Sequence, residues 1–296
     1  MRWREGRRSE NVEDVRGAGG GFGRGGGGLR LGGGGLILLL VGAWLFGADP
    51  MALLSILVDG GAGSSIEVPD ASTEGGAPAP AGSDEGAQFV SVVLADTEDT
   101  WTEIFQSGGE RYQPPKLVLF TDTVRSACGM AQSAMGPFYC PSDQKVYIDL
   151  GFYRELRERF RAPGDFAQAY VIAHEIGHHV QTLLGTSQQV HAAQQRASQQ
   201  QSNALSVQLE LQADCYAGVW ANHANRARQI LEEGDVEEGL NAASAIGDDN
   251  IQRQTQGSVA PESFTHGSSQ QRISWFRRGL DSGSMKNCDT FASEPQ

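Results

Sequence analysis

The sequence predicts an α+β domain, mostly helical with a small sheet and preceded by one transmembrane helix, and three observations carry that prediction. Two short strand-like runs, KLVLF and KVYIDL, come ahead of a series of longer segments with helical period. One of those segments, AYVIAHEIGHHV, is apolar over most of its length, as a central helix must be. A long apolar stretch stands before them all.

Taken from the start, residues 1–35 hold seven Arg against four acids and a run of glycines, GAGGGFGRGGGGLRLGGGG. Such a segment cannot bury apolar surface and reads as a disordered cytoplasmic tail. No strand precedes the glycines and no Lys-Ser/Thr pair follows them, which argues against a phosphate-cradling loop. Residues 36–58, LILLLVGAWLFGADPMALLSILV, make a stretch of about 23 residues that can cross a bilayer core at roughly 1.5 Å per residue. Asp49-Pro50 breaks its second half, so the span either ends near Gly47 or is followed by a short interfacial segment. A buried core helix is the plainer alternative. A cleaved signal peptide fits poorly, because the region ahead of the apolar run is too long. The positive-inside rule then predicts a single-pass protein of the bacterial cell membrane, N-terminus cytoplasmic and everything after residue 58 extracytoplasmic. Residues 59–87 are small, polar and Pro-bearing, a flexible linker, and the folded domain is expected over 88–296.

The formal charge is −13, and the excess of acid lies beyond residue 35. A surface of that sign repels a phosphate backbone, so no nucleic-acid partner is expected. Four cysteines on the side assigned to an oxidising compartment point to disulfides. Cys128 with Cys140 and Cys215 with Cys288 is the pairing favoured by their neighbourhood, although four cysteines allow three pairings. A cysteine-ligated zinc site would need closer spacing.

Within the domain, FVSVVLADTEDTWTEIFQ reads as an amphipathic helix, KLVLF and KVYIDL as strands, and GFYRELRERF as a second helix. DFAQAYVIAHEIGHHVQTLLG follows, with Asp165 expected as N-cap and Gly185 as stop, and then a long Gln/Ala-rich helical stretch to about residue 232.

HEIGH, residues 174–178, fits the HExxH pattern. Two His four apart project from one helix face about 40° apart, so His174 and His178 can reach one tetrahedral Zn2+. Glu175 then stands beside the metal, where a carboxylate can take a proton from a zinc-bound water and pass it to a leaving amine. A catalytic zinc needs a third protein ligand and an open fourth position. ELQAD offers Glu210 for that ligand, with Asp214 on the same face as a carboxylate that orients a ligand His. The surrounding ALSVQLELQADCYAGVWA is more apolar than a solvated helix face usually is.

Taken together, MRWREGRRSENVEDVRG, SACGMAQSAMGPFYCP, VYIDL, AHEIGHHVQ, ELQADCYAGVWA and FTHGSSQQRISWFRRG resemble the bacterial "putative neutral zinc metallopeptidase" family, nearly end to end. The resemblance implies a zincin-like fold, a single membrane anchor, and one zinc held by His174, His178 and Glu210 with Glu175 as base. ELQAD is also similar to the ExxxD element of membrane-embedded prenyl-protein and quality-control zinc proteases, in which a His-Pro segment near the end supplies a His to the substrate carbonyl oxygen. The matching stretch is THGSSQQR, with Gly267 in place of the Pro. His266 is thereby implied as an oxyanion stabiliser and Arg272 as a partner for Asp214.

The other histidines draw structural readings: His179 should point away from the metal, and His191 and His223 lack partners at ligand spacing. Trp101, Phe105, Trp220, Trp275 and Phe276 recur at core-like positions. The function expected is a zinc-dependent metallopeptidase acting on a protein or peptide. Two other readings are a non-catalytic zinc-binding assembly protein of the cell envelope and a zinc amidase acting on peptidoglycan peptides.

Overall fold

The computed structural model describes residues 1–16 and 84–292, and these belong to one compact unit. Residues 17–83 lie outside the described residues, and with them the expected span 36–58 and most of the expected linker. The described elements are β1 (Val12–Asp14), α1 (Glu85–Ser107), β2 (Lys116–Phe120), β3 (Thr123–Ser126), β4 (Gly129–Gln132), β5 (Phe138–Cys140), β6 (Lys145–Asp149), α2 (Gly151–Glu158), α3 (Asp165–Leu183), α4 (Thr186–Gln194), α5 (Gln199–Arg228), α6 (Asp235–Ala245), α7 (Asp248–Gln256) and α8 (Ser269–Ser282). Mostly helical with a small sheet, the architecture is the expected α+β class.

The sheet has the order β1-β2-β6-β5. β1, β2 and β6 run parallel, whereas β5 is antiparallel to β6, and β3 and β4 form a separate hairpin. KLVLF is buried from its second residue to its last, as a strand covered on both faces must be. The helices supply most of the core, where Trp101, Trp220 and Phe276 are fully buried and Phe105 nearly so. Trp275 is only partly buried and stacks under the Arg278 guanidinium. Both favoured disulfides are formed, Cys128–Cys140 bracing the end of β5 and Cys215–Cys288 fixing the chain end against α5.

The first residues are not a tail. Met1 and Trp3 are buried, and Trp3 packs edge-on against Phe89 of α1 at 5.2 Å between ring centroids. The nearly buried Glu98 carboxylate accepts from Arg7 at 2.9 Å, Ser9 at 2.5 Å and Asn11 at 2.8 Å. The α-amino group of Met1 donates to Asp165 at 2.6 Å. Val12 to Asp14 then pair with Leu117 to Leu119 as the fourth strand. Where the described chain stops and resumes, Arg16 is ion-paired with Asp84, whose side chain caps α1. The expected linker end at residue 87 therefore lies inside a helix.

This overturns the membrane topology. No helix among the described residues is long and apolar enough to cross a membrane. In addition, β1 and β2 share one ladder, so a single crossing between residues 16 and 84 would put two hydrogen-bonded strands on opposite sides of a bilayer. The single-pass anchor, the membrane partnership through that one span, and the division into a cytoplasmic N-terminus and an extracytoplasmic domain are corrected accordingly. The arginines behind the positive-inside reading serve as ion-pair partners: Arg4 with Glu85, Arg7 with Glu98 and Asp99, Arg16 with Asp14 and Asp84.

Three close approaches set the helix layer. The motif glycine Gly177 on α3 faces Ala213 of α5, where a Cβ would meet the Ala213 carbonyl oxygen at 2.9 Å. Gly218 of α5 and Gly279 of α8 face one another so tightly that a Cβ on either would strike the other helix's backbone at about 2 Å. Backbone contact at these crossings brings α5 and α8 up against the motif helix. At the ends of α3, Gly164 rather than Asp165 is the N-cap residue, Asp165 is the first helical residue, and Gly185 takes the left-handed conformation beyond the C-terminus. The Gln/Ala-rich stretch is two helices, α4 and α5, the second opened by a Ser198/Gln201 capping box.

Candidate metal centre and active site

On α3, Val171, His174, Glu175 and His178 lie at i, i+3, i+4 and i+7, and all four line one cleft. Glu210 reaches the same point from α5. The ligand atoms of His174, His178 and Glu210 all lie within 4.8 Å of one another.

Each imidazole is held by its other nitrogen. His174 Nδ1 is 2.8 Å from Asp214 Oδ1, which leaves Nε2 at 3.1 Å from Glu210 Oε2. His178 Nδ1 is 2.9 Å from the Gln181 side-chain oxygen, which leaves Nε2 at 3.4 Å from Glu210 Oε1. Gln181 is itself fixed, since its amide donates to the Leu209 carbonyl at 2.7 Å and to Gln212 at 3.1 Å. Ligands about 2.05 Å from a tetrahedral zinc stand about 3.3 Å apart. The spacings of 3.1 and 3.4 Å match that value, and the donor set of two neutral imidazoles and a carboxylate suits zinc. The residues fit the metal.

Behind His174 lies a closed polar network. Asp214 and Arg272 are almost wholly buried. The Asp214 carboxylate accepts from the Tyr170 hydroxyl and His174 Nδ1, from Arg272 Nη2 at 2.9 Å and, at its second oxygen, from Arg272 Nε at 2.8 Å. Burial pushes the Asp214 carboxyl up, but Arg272 and His174 outweigh it and bring it down to about 2. Burial likewise works against the Glu210 carboxylate, yet His178 and His174 hold it well below the usual range. For His174, burial disfavours the cation, but Asp214 and Glu210 prevail and raise it to about 10.

His266 lines the same cleft from the segment ahead of α8. Its Nδ1 is 3.2 Å from Asp248 Oδ1, and the Asp248 carboxylate also accepts its backbone N–H at 2.6 Å. That hydrogen bond, against burial, raises the imidazole above its ordinary value. His179 faces away from the metal ligands: Nε2 donates to the Gln113 carbonyl at 2.7 Å, so Nδ1 accepts from the Tyr139 hydroxyl at 3.1 Å, and burial lowers it to about 4. It ties β5 and the segment before β2 to the motif helix. His191 is exposed beside Gln195, and His223 bonds the Gly283 carbonyl.

Sequence reasoning missed Tyr170 and Gln181. Their signal was available, since Tyr170 lies one turn before His174 and Gln181 three residues after His178, both on the ligand face.

Comparison with known proteins places the chain among relatives. No solved structure matches the chain. A curated relative from Escherichia coli (strain K12), "Uncharacterized protein YpfJ", is 52% identical over 295 residues, spanning 98% of this chain and 99% of the relative. "Uncharacterized protein Rv2575" from Mycobacterium tuberculosis (strain H37Rv) is 42% identical over 216 residues, 70% of this chain and 72% of the relative. The family described as "Putative neutral zinc metallopeptidase" matches residues 1–291, and with His174, Glu175, His178 and Glu210 gathered at one cleft, the chain belongs to that family.

Proposed function

We propose that the chain is a zinc-dependent metallopeptidase of zincin-like design that hydrolyses peptide bonds, with one zinc per chain. The observation that supports this most is a three-ligand cluster of His174, His178 and Glu210 at a cleft that also contains a carboxylate outside the cluster, Glu175. A purely structural zinc would call for a fourth protein ligand and has no use for a base beside it. Among the described residues the cluster comprises three, which favours catalysis over the non-catalytic envelope reading.

Zinc, when bound, supplies Lewis acidity toward the carbonyl oxygen and acidifies water. The residues do the rest. His174 and His178 are held through Nδ1 by Asp214 and Gln181, which aims Nε2 of each at the metal position. Glu175 takes the proton of the attacking water and returns it to the departing amine nitrogen. His266, held through Nδ1 by Asp248, is assigned to the developing negative charge on the carbonyl oxygen. Arg272 and Tyr170 act on the substrate only through Asp214 and His174.

The test is zinc content and casein hydrolysis by the full chain and its Glu175→Gln variant. One zinc in each with cleavage by the unmutated chain alone is expected. A Gln variant with full activity, or a chain that binds no zinc, refutes the proposal.

A further inference from the structure

The cleft has a volume of about 480 Å3, in the range of pockets that enclose a short ligand. Its floor is the metal cluster and Glu175. One wall is apolar: Phe152 of α2 and the following Phe160, with Met135 and Phe138 from the loop and strand braced by Cys128–Cys140. Phe138 is itself stacked on Tyr147, at 4.8 Å and 7° between planes, and so presents a fixed surface. Ile246, Ile251 and His266 also line the cleft. At the rim Met135 is 70% exposed, a large apolar side chain with nothing packed over it.

The charges of the cleft point the same way. Arg272 is consumed by Asp214, and Arg159 at the rim stands 3.8 Å from Glu155 one turn before it, so the two offset each other. An enzyme that trims chain ends needs a charge to hold the terminal carboxylate or ammonium. Among the described residues lining this cleft, every arginine has an acidic partner, and the acids that lack an arginine, Glu175 and Glu210, belong to the site itself.

From this we infer the substrate class: an internal peptide bond flanked by a large apolar side chain, Phe, Leu, Ile or Met, which enters between the Phe152/Phe160 wall and Ile251. The inference rests on the metallopeptidase reading and adds to it an endopeptidase with apolar specificity.

Two measurements on the zinc-loaded full chain separate the two ideas. In the first, N-blocked amino-acid hydroxamates bearing Phe, Leu, Asp or Gly side chains are titrated calorimetrically, so that binding is read without catalysis. Phe and Leu should bind tighter than Gly by about tenfold or more, with Asp no tighter than Gly. In Ile251→Asp and Met135→Glu, both at partly or fully exposed positions and checked for unchanged melting temperature, that preference should collapse. In the second, casein fragments are mapped by mass spectrometry, with internal cuts beside apolar residues expected. Equal hydroxamate affinities, or cuts without apolar preference or confined to chain ends, overturn this inference and leave the metallopeptidase standing. Apolar hydroxamate preference without hydrolysis supports the pocket and sinks the peptidase reading.

Discussion

Replacing Arg272 by Met removes the cation that compensates Asp214 and leaves the carboxylate buried. Two hydrogen bonds to Asp214 disappear, Nε to Oδ2 at 2.8 Å and Nη2 to Oδ1 at 2.9 Å, and Tyr170 and His174 remain as its donors. Bonds to charged groups contribute about 1.5–3 kcal/mol each, and breaking a buried pair costs about 3–5 kcal/mol. Against a typical total stability of about 5–15 kcal/mol, Arg272→Met should therefore lose about a fifth of it or more. The assay is urea unfolding of the metal-free chain, read by far-UV circular dichroism. The cycle is completed with Asp214→Asn, which discharges the partner. The double variant should recover at least about 1 kcal/mol over Arg272→Met alone, because the penalty lies in the stranded charge. A single-variant loss below about 1 kcal/mol, or a double variant weaker than the single, would refute the argument.

Four further outcomes follow from the same geometry. Asp214 has a folded pKa of about 2 against an ordinary 3.8, so its contribution is complete above pH 4 and is lost as the pH falls toward 2. Acid titration of stability should show a loss on the order of 2 kcal/mol in that window, diminished or reversed in Arg272→Met, where the folded carboxyl is no longer held down by the guanidinium. With His174 raised to about 10 in the metal-free chain, zinc must displace its proton at neutral pH. Calorimetric zinc enthalpies should then vary with buffer ionisation enthalpy, and a flat dependence would contradict this. Gly177→Ala drives a methyl into the Ala213 backbone, so a loss of about 1–3 kcal/mol and a weaker zinc site are expected by thermal melting and competitive chelation. Trp3→Ala, in a segment far from the metal in sequence, should cost about 3–5 kcal/mol; an unchanged melting temperature would show that residues 1–16 do not belong to the core.

What could be read from sequence was what is local. His174, Glu175 and His178 lie within one helical turn and a half, and Glu210 with Asp214 within another, so helix geometry alone puts each set on one face. The resemblance supplied Arg272 and His266, which share no local pattern with the motif, and the structure brings both to the cleft. What failed was non-local. β1 is three residues long, and its partner β2 lies about a hundred residues away, so no periodicity announces it. The arginines around it resemble a cytoplasmic flank until the acids that face them, Glu98, Asp99, Glu85 and Asp84, are seen on α1. Tyr170 drew no reading of its own, because its hydroxyl partner Asp214 sits two helices further along the chain.

The Arg16–Asp84 ion pair also has a consequence for engineering. It brings the two ends of the intervening segment to within the reach of one arginine side chain, so the folded unit leaves and re-enters its own fold at a single point. The entropy of closing such an excursion rises only with the logarithm of its length, each doubling costing about 0.6 kcal/mol. A short Gly/Ser bridge from residue 16 to residue 84 would therefore shorten the chain without straining the sheet or the helix cap. By contrast, a version starting near residue 88 would discard a strand, the Trp3 contact and the Asp84 cap together.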